Sequence, residues 1–150
     1  MKRQLRDYAL GAKSIRKELK AAFPDIKFSV RSKGYAGGCS ITIDWIEGPT
    51  EEAVEKITNK YEQGSFDGMI DLYTYDTDRE FTDKNGGAKY VFTHRKYKAE
   101  TEEALGRKLC KENGVEYNGE NTGHLHGEQD RQFLYHHVRR ELNKTSFKTN

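Results

Sequence analysis

The stretch from Ser14 to Gly48 limits what this chain can fold into more than any other part of it. It reads as a cationic amphipathic helix, an alternating strand, a glycine-rich turn and a second alternating strand ending at Trp45. Leu5, Tyr8, Ala12, Ile15, Leu19 and Ala22 recur at steps of three and four, with Phe23 beside them, which is the buried stripe of a helix. Lys13, Arg16, Lys17 and Lys20 fill the other faces, and Pro24 stops the helix after Phe23. Gly11 is placed to divide the segment, leaving Ser14 as N-cap of a shorter helix. Ile26, Phe28 and Val30 then alternate with Lys27, Ser29 and Arg31, and Ile41, Ile43 and Trp45 with Ser40, Thr42 and Asp44. The turn around Tyr35, rich in glycine at Gly34, Gly37 and Gly38, makes the two strands an antiparallel hairpin.

Later elements are expected to pack on this unit. Gly48-Pro49-Thr50 ends the second strand and starts a helix capped by Thr50, with Val54, Ile57 and Tyr61 inward and Gly64 closing it. After a turn at Phe66-Asp67-Gly68, Met69 to Tyr75 reads as a third strand, Asp76 to Asp83 as an acidic turn region, and Lys89 to Arg95 as a fourth strand. In that fourth strand Tyr90, Phe92 and His94 oppose Val91, Thr93 and Arg95, and the pattern leaves open which set is buried. A helix from Thr101 carries Leu105 and Leu109 inward, and a last helix from about Glu128 carries Leu134, Val138 and Leu142. The order α-β-β-α-β-β-α-α predicts an α+β fold, a four-stranded, mainly antiparallel sheet with helices on one face. One domain over residues 1–150 is expected, with 144–150 a flexible tail.

Composition narrows the functional classes. No apolar run approaches the ~20 residues that span a bilayer, so no membrane partner and a cytoplasmic location are expected. Cys39 and Cys110 form no CxxC pair, which argues against a disulfide framework or zinc knuckle. Charge is segregated: residues 1–35 carry ten basic and three acidic side chains, residues 36–85 four basic and twelve acidic. An electrostatically steered binding face and two segments that neutralise each other both fit this pattern.

Three constellations follow from these residues. Lys13, Arg16, Lys17, Lys20, Lys27, Arg31 and Lys33 could contact phosphates with Tyr35 stacking on a base, or could be a solvated face. The first strand lacks the paired aromatics of an RNA-recognition sheet. Glu51, Glu52, Glu55, Asp71, Asp76 and Asp78 could imitate a phosphate track, although helix N-termini and turns attract acids in most proteins. His124 and His126 are a weak metal candidate within what reads as a surface loop. No catalytic set is identified, no cofactor is implied, and Tyr73 and Tyr75 are left between stacking on a partner and covering an apolar layer.

The motifs Ile15-Arg16-Lys17-Glu18-Leu19-Lys20, Phe23-Pro24, Lys27-Phe28-Ser29-Val30-Arg31-Ser32, Gly37-Gly38, Trp45, Gly48-Pro49-Thr50 and Phe66-Asp67-Gly68-Met69-Ile70-Asp71-Leu72-Tyr73 carry a family resemblance. Over about residues 14–75 the chain resembles the twenty-ninth of the large polyvalent protein-associated domains. Residues 76–143 then read as a C-terminal β-α-α extension. Such domains occur in long proteins of phages and conjugative elements that are inferred to enter the recipient with the DNA and counter host defences. The resemblance implies a non-enzymatic accessory protein of anti-CRISPR or antirestriction type, with a host nuclease or nucleoprotein complex as partner. A nucleic-acid-binding module for DNA or RNA is the alternative expectation, and a metal-dependent hydrolase the third.

Overall fold

A computed structural model describes residues 6–114, 116–117 and 134–147. Helix α1 runs unbroken over Asp7–Ala22 and buries Ala12, Ile15 and Leu19. Strands β1 (Ser29–Tyr35) and β2 (Gly38–Ile46) pair antiparallel, as the alternation predicts. Their inner residues Val30, Ile41, Ile43 and Trp45 form the core with α1. Trp45 packs against Phe28 at 5.6 Å between ring centres, and its indole N–H donates to the Pro49 carbonyl at 3.0 Å. Helix α2 (Glu51–Thr58) is capped by Thr50 Oγ1, which accepts from the Ala53 N–H at 3.3 Å. A 3-10 turn over Asn59–Tyr61 continues it and buries Tyr61.

Beyond this point the fold is α+β, but the single four-stranded sheet is not formed. Strands β3 (Gly64–Asp67) and β4 (Leu72–Tyr75) make a separate antiparallel hairpin. Phe66 and Asp67 are therefore strand residues, whereas Met69 and Ile70 lie at the tip. Gly64 does not close α2; it opens β3, where an added Cβ would collide with the Thr74 carbonyl oxygen. Within the acidic region the short helix α3 (Glu80–Asn85) forms. Strand β5 (Tyr90–Lys96) then joins the first sheet parallel to β2, giving the order β1-β2-β5. The long path through α2, the hairpin and α3 returns the chain in its original direction, so a parallel pair forms where a direct turn would have made an antiparallel one.

Gly11 does not divide α1. Its missing side chain admits the Asn85-Gly86-Gly87 backbone, and Ser14 serves this contact rather than a cap. Gly87 N–H donates to Asp7 O at 3.1 Å and Ser14 Oγ to Asn85 O at 2.9 Å. A Cβ on Gly11 would meet Gly87 N at 2.8 Å, and Gly86 itself has φ +80°.

Helices α4 (Ala99–Glu112) and α5 (Leu134–Lys144) build a second apolar cluster from Cys110, Leu134, Val138 and Leu142. Arg95 joins it to the sheet. Although only 7% exposed, its guanidinium donates to the carbonyls of Glu47 (3.1 Å), Gly48 (2.9 Å), Leu142 (3.0 Å) and Thr145 (2.5 Å). Its flat group lies 5.1 Å from the Tyr97 ring centre and 5.4 Å from that of Phe147, whose N–H donates to Gly48 O at 2.9 Å. No helix among the described residues is long and apolar enough to cross a membrane.

Two stability outcomes follow. Gly11→Ala should lower the urea midpoint by an amount equivalent to about 1–2 kcal/mol, the ~1–3 kcal/mol of overpacking less up to ~1 kcal/mol of helix propensity; an unchanged or raised midpoint would mean that the turn yields freely. Arg95→Met should cost at least ~3 kcal/mol in the same measurement, two charge-assisted bonds of ~1.5 kcal/mol being a floor. Arg95→Lys should recover little, because an ammonium cannot span the forked set of carbonyls. Losses under ~1 kcal/mol for both Arg95 variants would contradict this account.

Candidate functional site

Alternation along β5 turns Val91, Thr93 and Arg95 toward the helices and Tyr90, Phe92, His94 and Lys96 toward the opposite face. The strand registers then set these residues in rows. Lys33, Ser40 and Tyr90 lie side by side, as do Arg31, Thr42 and Phe92, and then Ser29, Asp44 and His94. One face of the sheet thus carries cations on β1, small hydroxyl side chains on β2 and aromatic rings on β5. With neighbouring strands ~4.8 Å apart, the cationic and aromatic columns stand about 10 Å from each other.

The aromatic column continues beyond the sheet. Phe92, 45% exposed, lies nearly parallel to Tyr90, with ring centres 5.8 Å apart and planes 15° from parallel. Tyr73 from β4 meets Tyr90 edge-on at 5.3 Å and Tyr75 at 4.9 Å. The Tyr73 hydroxyl donates to Lys89 O at 2.6 Å. Burial first, then the nearby Glu62 carboxylate and the neighbouring phenols, push its pKa well above the usual tyrosine value, so it stays a neutral donor. The Lys89 ammonium lies 4.7 Å from the Tyr73 ring centre and 5.6 Å from that of Tyr90. Asp44 moderates the positive charge in the middle of the face, with Arg31 at 2.7 Å and Lys96 at 4.0 Å.

The cations expected from the sequence divide between two layers. Arg31 and Lys33 stand on the open face and half-exposed Tyr35 ends the β1 column. Lys13 and Lys17 are exposed on α1, in the helical layer. Arg16 bridges the two, donating to Val30 O of edge strand β1, and with Lys20, Lys27 and Phe28 it lines a cleft of about 400 Å³. Lys27 also lines an adjoining cleft of about 350 Å³ with Ile26, Trp45, Ile46 and Lys96.

The acidic residues expected from the sequence are engaged in contacts of several kinds. Glu51 Oε1 accepts from the Arg95 N–H at 3.3 Å, and Glu55 from the Thr93 hydroxyl at 3.1 Å. Glu62 accepts from the Val91 N–H at 2.9 Å; burial raises its pKa, with this bond acting the other way and Asp76 adding to the rise. Glu51 and Glu62 thus occupy two backbone N–H groups on the free edge of β5, and Glu55 holds a side chain of the same strand. Glu52 pairs with Lys56 at 3.1 Å on the surface of α2, while the Asp76 N–H donates to Gln63 O and Asp78 Oδ1 accepts the Glu80 N–H. Asp71 sits in the hairpin turn at φ +51°. His124 and His126 lie outside the described residues, and among those described no three His, Cys, Asp or Glu side chains group as a metal site.

Tyr90 and Phe92 are the site residues that sequence reasoning did not place. β1 indeed lacks paired aromatics, but β5 supplies them two positions away in the sheet. Their period-two spacing was visible; the missing information was which strand β5 would join.

One comparison with known proteins identifies a family. The family model described as large polyvalent protein associated domain 29 matches residues 7–98, from the start of α1 through β5 and more than half of the chain. The match thus includes β5 and the whole candidate face. No curated protein and no solved structure gives a match.

Proposed function

The chain belongs to the large polyvalent protein associated domain 29 family, and from that premise we propose that its open sheet face binds single-stranded nucleic acid without chemistry. The observation that carries this reading is the row structure: Tyr90 and Phe92 stand across small Ser40 and Thr42 from Lys33 and Arg31. An unstacked base laid on Phe92 or Tyr90 leaves its phosphate free to reach the β1 cations over the low central strand. Bases of a duplex are stacked on one another and present no free face to these rings, so single strands are preferred. Every base has such a face, which makes the binding tolerant of sequence.

This reading also gives the anti-defence role implied by the family resemblance a physical form. A protein that enters with foreign nucleic acid and covers its single-stranded parts withholds them from host nucleases. Occlusion of the strand replaces inhibition of an enzyme's active centre.

Fluorescence anisotropy with labelled single strands of roughly 16 nucleotides, matched duplexes and a salt series tests the proposal. Single strands should bind more tightly than duplexes, with affinity falling as salt rises. Phe92→Ala and Tyr90→Ala should each weaken binding by about 1–3 kcal/mol, roughly 5- to 150-fold. Absence of binding at low salt, or full affinity after both substitutions, would remove this face as the site. Asp44→Asn should act in the opposite direction, tightening binding several-fold and steepening the salt dependence by freeing Arg31 and Lys96. Unchanged affinity in that variant would mean that phosphates do not approach the centre of the face.

A further inference from the structure

The β3–β4 hairpin ends in a turn whose composition runs against the usual chemistry of turns. Glycine and short polar residues dominate exposed turns, yet Met69 here is 96% exposed and Ile70 65%, with Phe66 and Leu72 more than half exposed beside them. The turn is structured: Asp67 Oδ1 accepts the Met69 N–H at 2.9 Å, and Asp71 holds φ +51°. Asp67 and Asp71 rim the apolar tip with negative charge.

The complementary surface is present on the same chain. The 350 Å³ cleft at the far end of the sheet is lined by Ile26, Trp45 and Ile46 together with Lys27, Lys96, Asp25 and Asp44. The adjoining cleft adds Arg16 and Lys20, so cations outnumber acids around the combined opening. Tip and cleft belong to opposite ends of β5. The hairpin is anchored at Lys89 and Tyr90, whereas the cleft is lined by Lys96, some 20 Å further along a seven-residue strand.

We infer that the hairpin tip of one copy inserts Met69 and Ile70 into the Trp45–Ile46 cleft of a second copy, with Asp67 and Asp71 facing its Lys and Arg rim. Because the two surfaces differ and lie at opposite ends, the contact is head-to-tail and repeats from copy to copy. Successive copies present their open faces in series, so copies on one strand bind cooperatively; that consequence alone rests on the nucleic-acid reading.

Sedimentation velocity of the full chain without nucleic acid, over concentrations reaching toward millimolar, tests the contact directly. A concentration-dependent rise in sedimentation coefficient that shrinks with added salt is expected. Met69→Ser with Ile70→Ser, both at solvent-exposed positions, should weaken association on the order of tenfold or more while leaving the urea midpoint unchanged. Lys27→Glu should weaken it from the other side. A chain that stays monomeric throughout, or association indifferent to both variants, overturns the proposal. So does a monomeric chain whose tip variant instead loses affinity for a duplex bearing a single-stranded tail, an outcome that assigns the tip to nucleic acid. Because these readouts involve no oligonucleotide except in that last arm, failure of self-association leaves the binding face standing, and failure of the face leaves self-association measurable.

Discussion

The parallel ladder between β2 and β5 is the interaction on which the other features depend. It places Val91, Thr93 and Arg95 on the helical side of the sheet and Tyr90 and Phe92 on the other. A slip of one residue would exchange these sets, because side chains alternate with a period of two. Two rings would then be driven beneath α2, and the Arg95 guanidinium would leave the carbonyls of Glu47, Gly48, Leu142 and Thr145. The aromatic column and the attachment of the C-terminal helices are therefore two results of one register. Arg95 makes that register costly to change, since an ionised group withdrawn from water needs its full set of acceptors.

Features set by neighbouring residues were legible from the sequence, and features set by distant pairing were not. The α1 stripe at Ala12, Ile15 and Leu19, the β1–β2 alternation, the Thr50 cap and the Leu134, Val138, Leu142 stripe all appear where local periodicity places them. The same local evidence could not choose a partner for β5, because both of its faces mix polar and apolar groups and the choice is made across a long connection. Arg95 illustrates the difficulty: nothing near it in sequence signals that four carbonyls from two distant segments converge on it. The hairpin turn was misplaced for a related reason. Asp67-Gly68 has turn chemistry, but the chain reverses over Gly68 to Asp71 and exposes apolar side chains there.

The separation of charge along the chain acquires a structural meaning in the same way. In the acidic middle segment, Glu51 and Glu62 accept N–H groups from β5, while Glu55 accepts the Thr93 hydroxyl and Glu47 the Lys98 N–H and the Thr101 hydroxyl. From the basic N-terminal segment, Arg16 donates to a β1 carbonyl at the other side of the sheet. Anions thus meet donors along one edge and a cation meets an acceptor along the other. Part of the sequence-level pattern is thus consumed inside the fold, by four carboxylates and one guanidinium that bind neighbouring elements.

Covered edges also restrict how a partner can engage the sheet. An exposed strand edge invites another strand to add to it through backbone hydrogen bonds. Here a strand approaching β5 would have to displace two carboxylates from backbone N–H groups, one of them the half-buried Glu62. A strand approaching β1 would have to displace the Arg16 guanidinium. The face demands no such exchange, since its rings are already partly exposed and its central side chains are small. On the reading proposed above, contact through rings and cations on the open face meets less resistance than strand addition, and a flexible single strand, with bases to stack and phosphates to neutralise, would offer both kinds of contact at once.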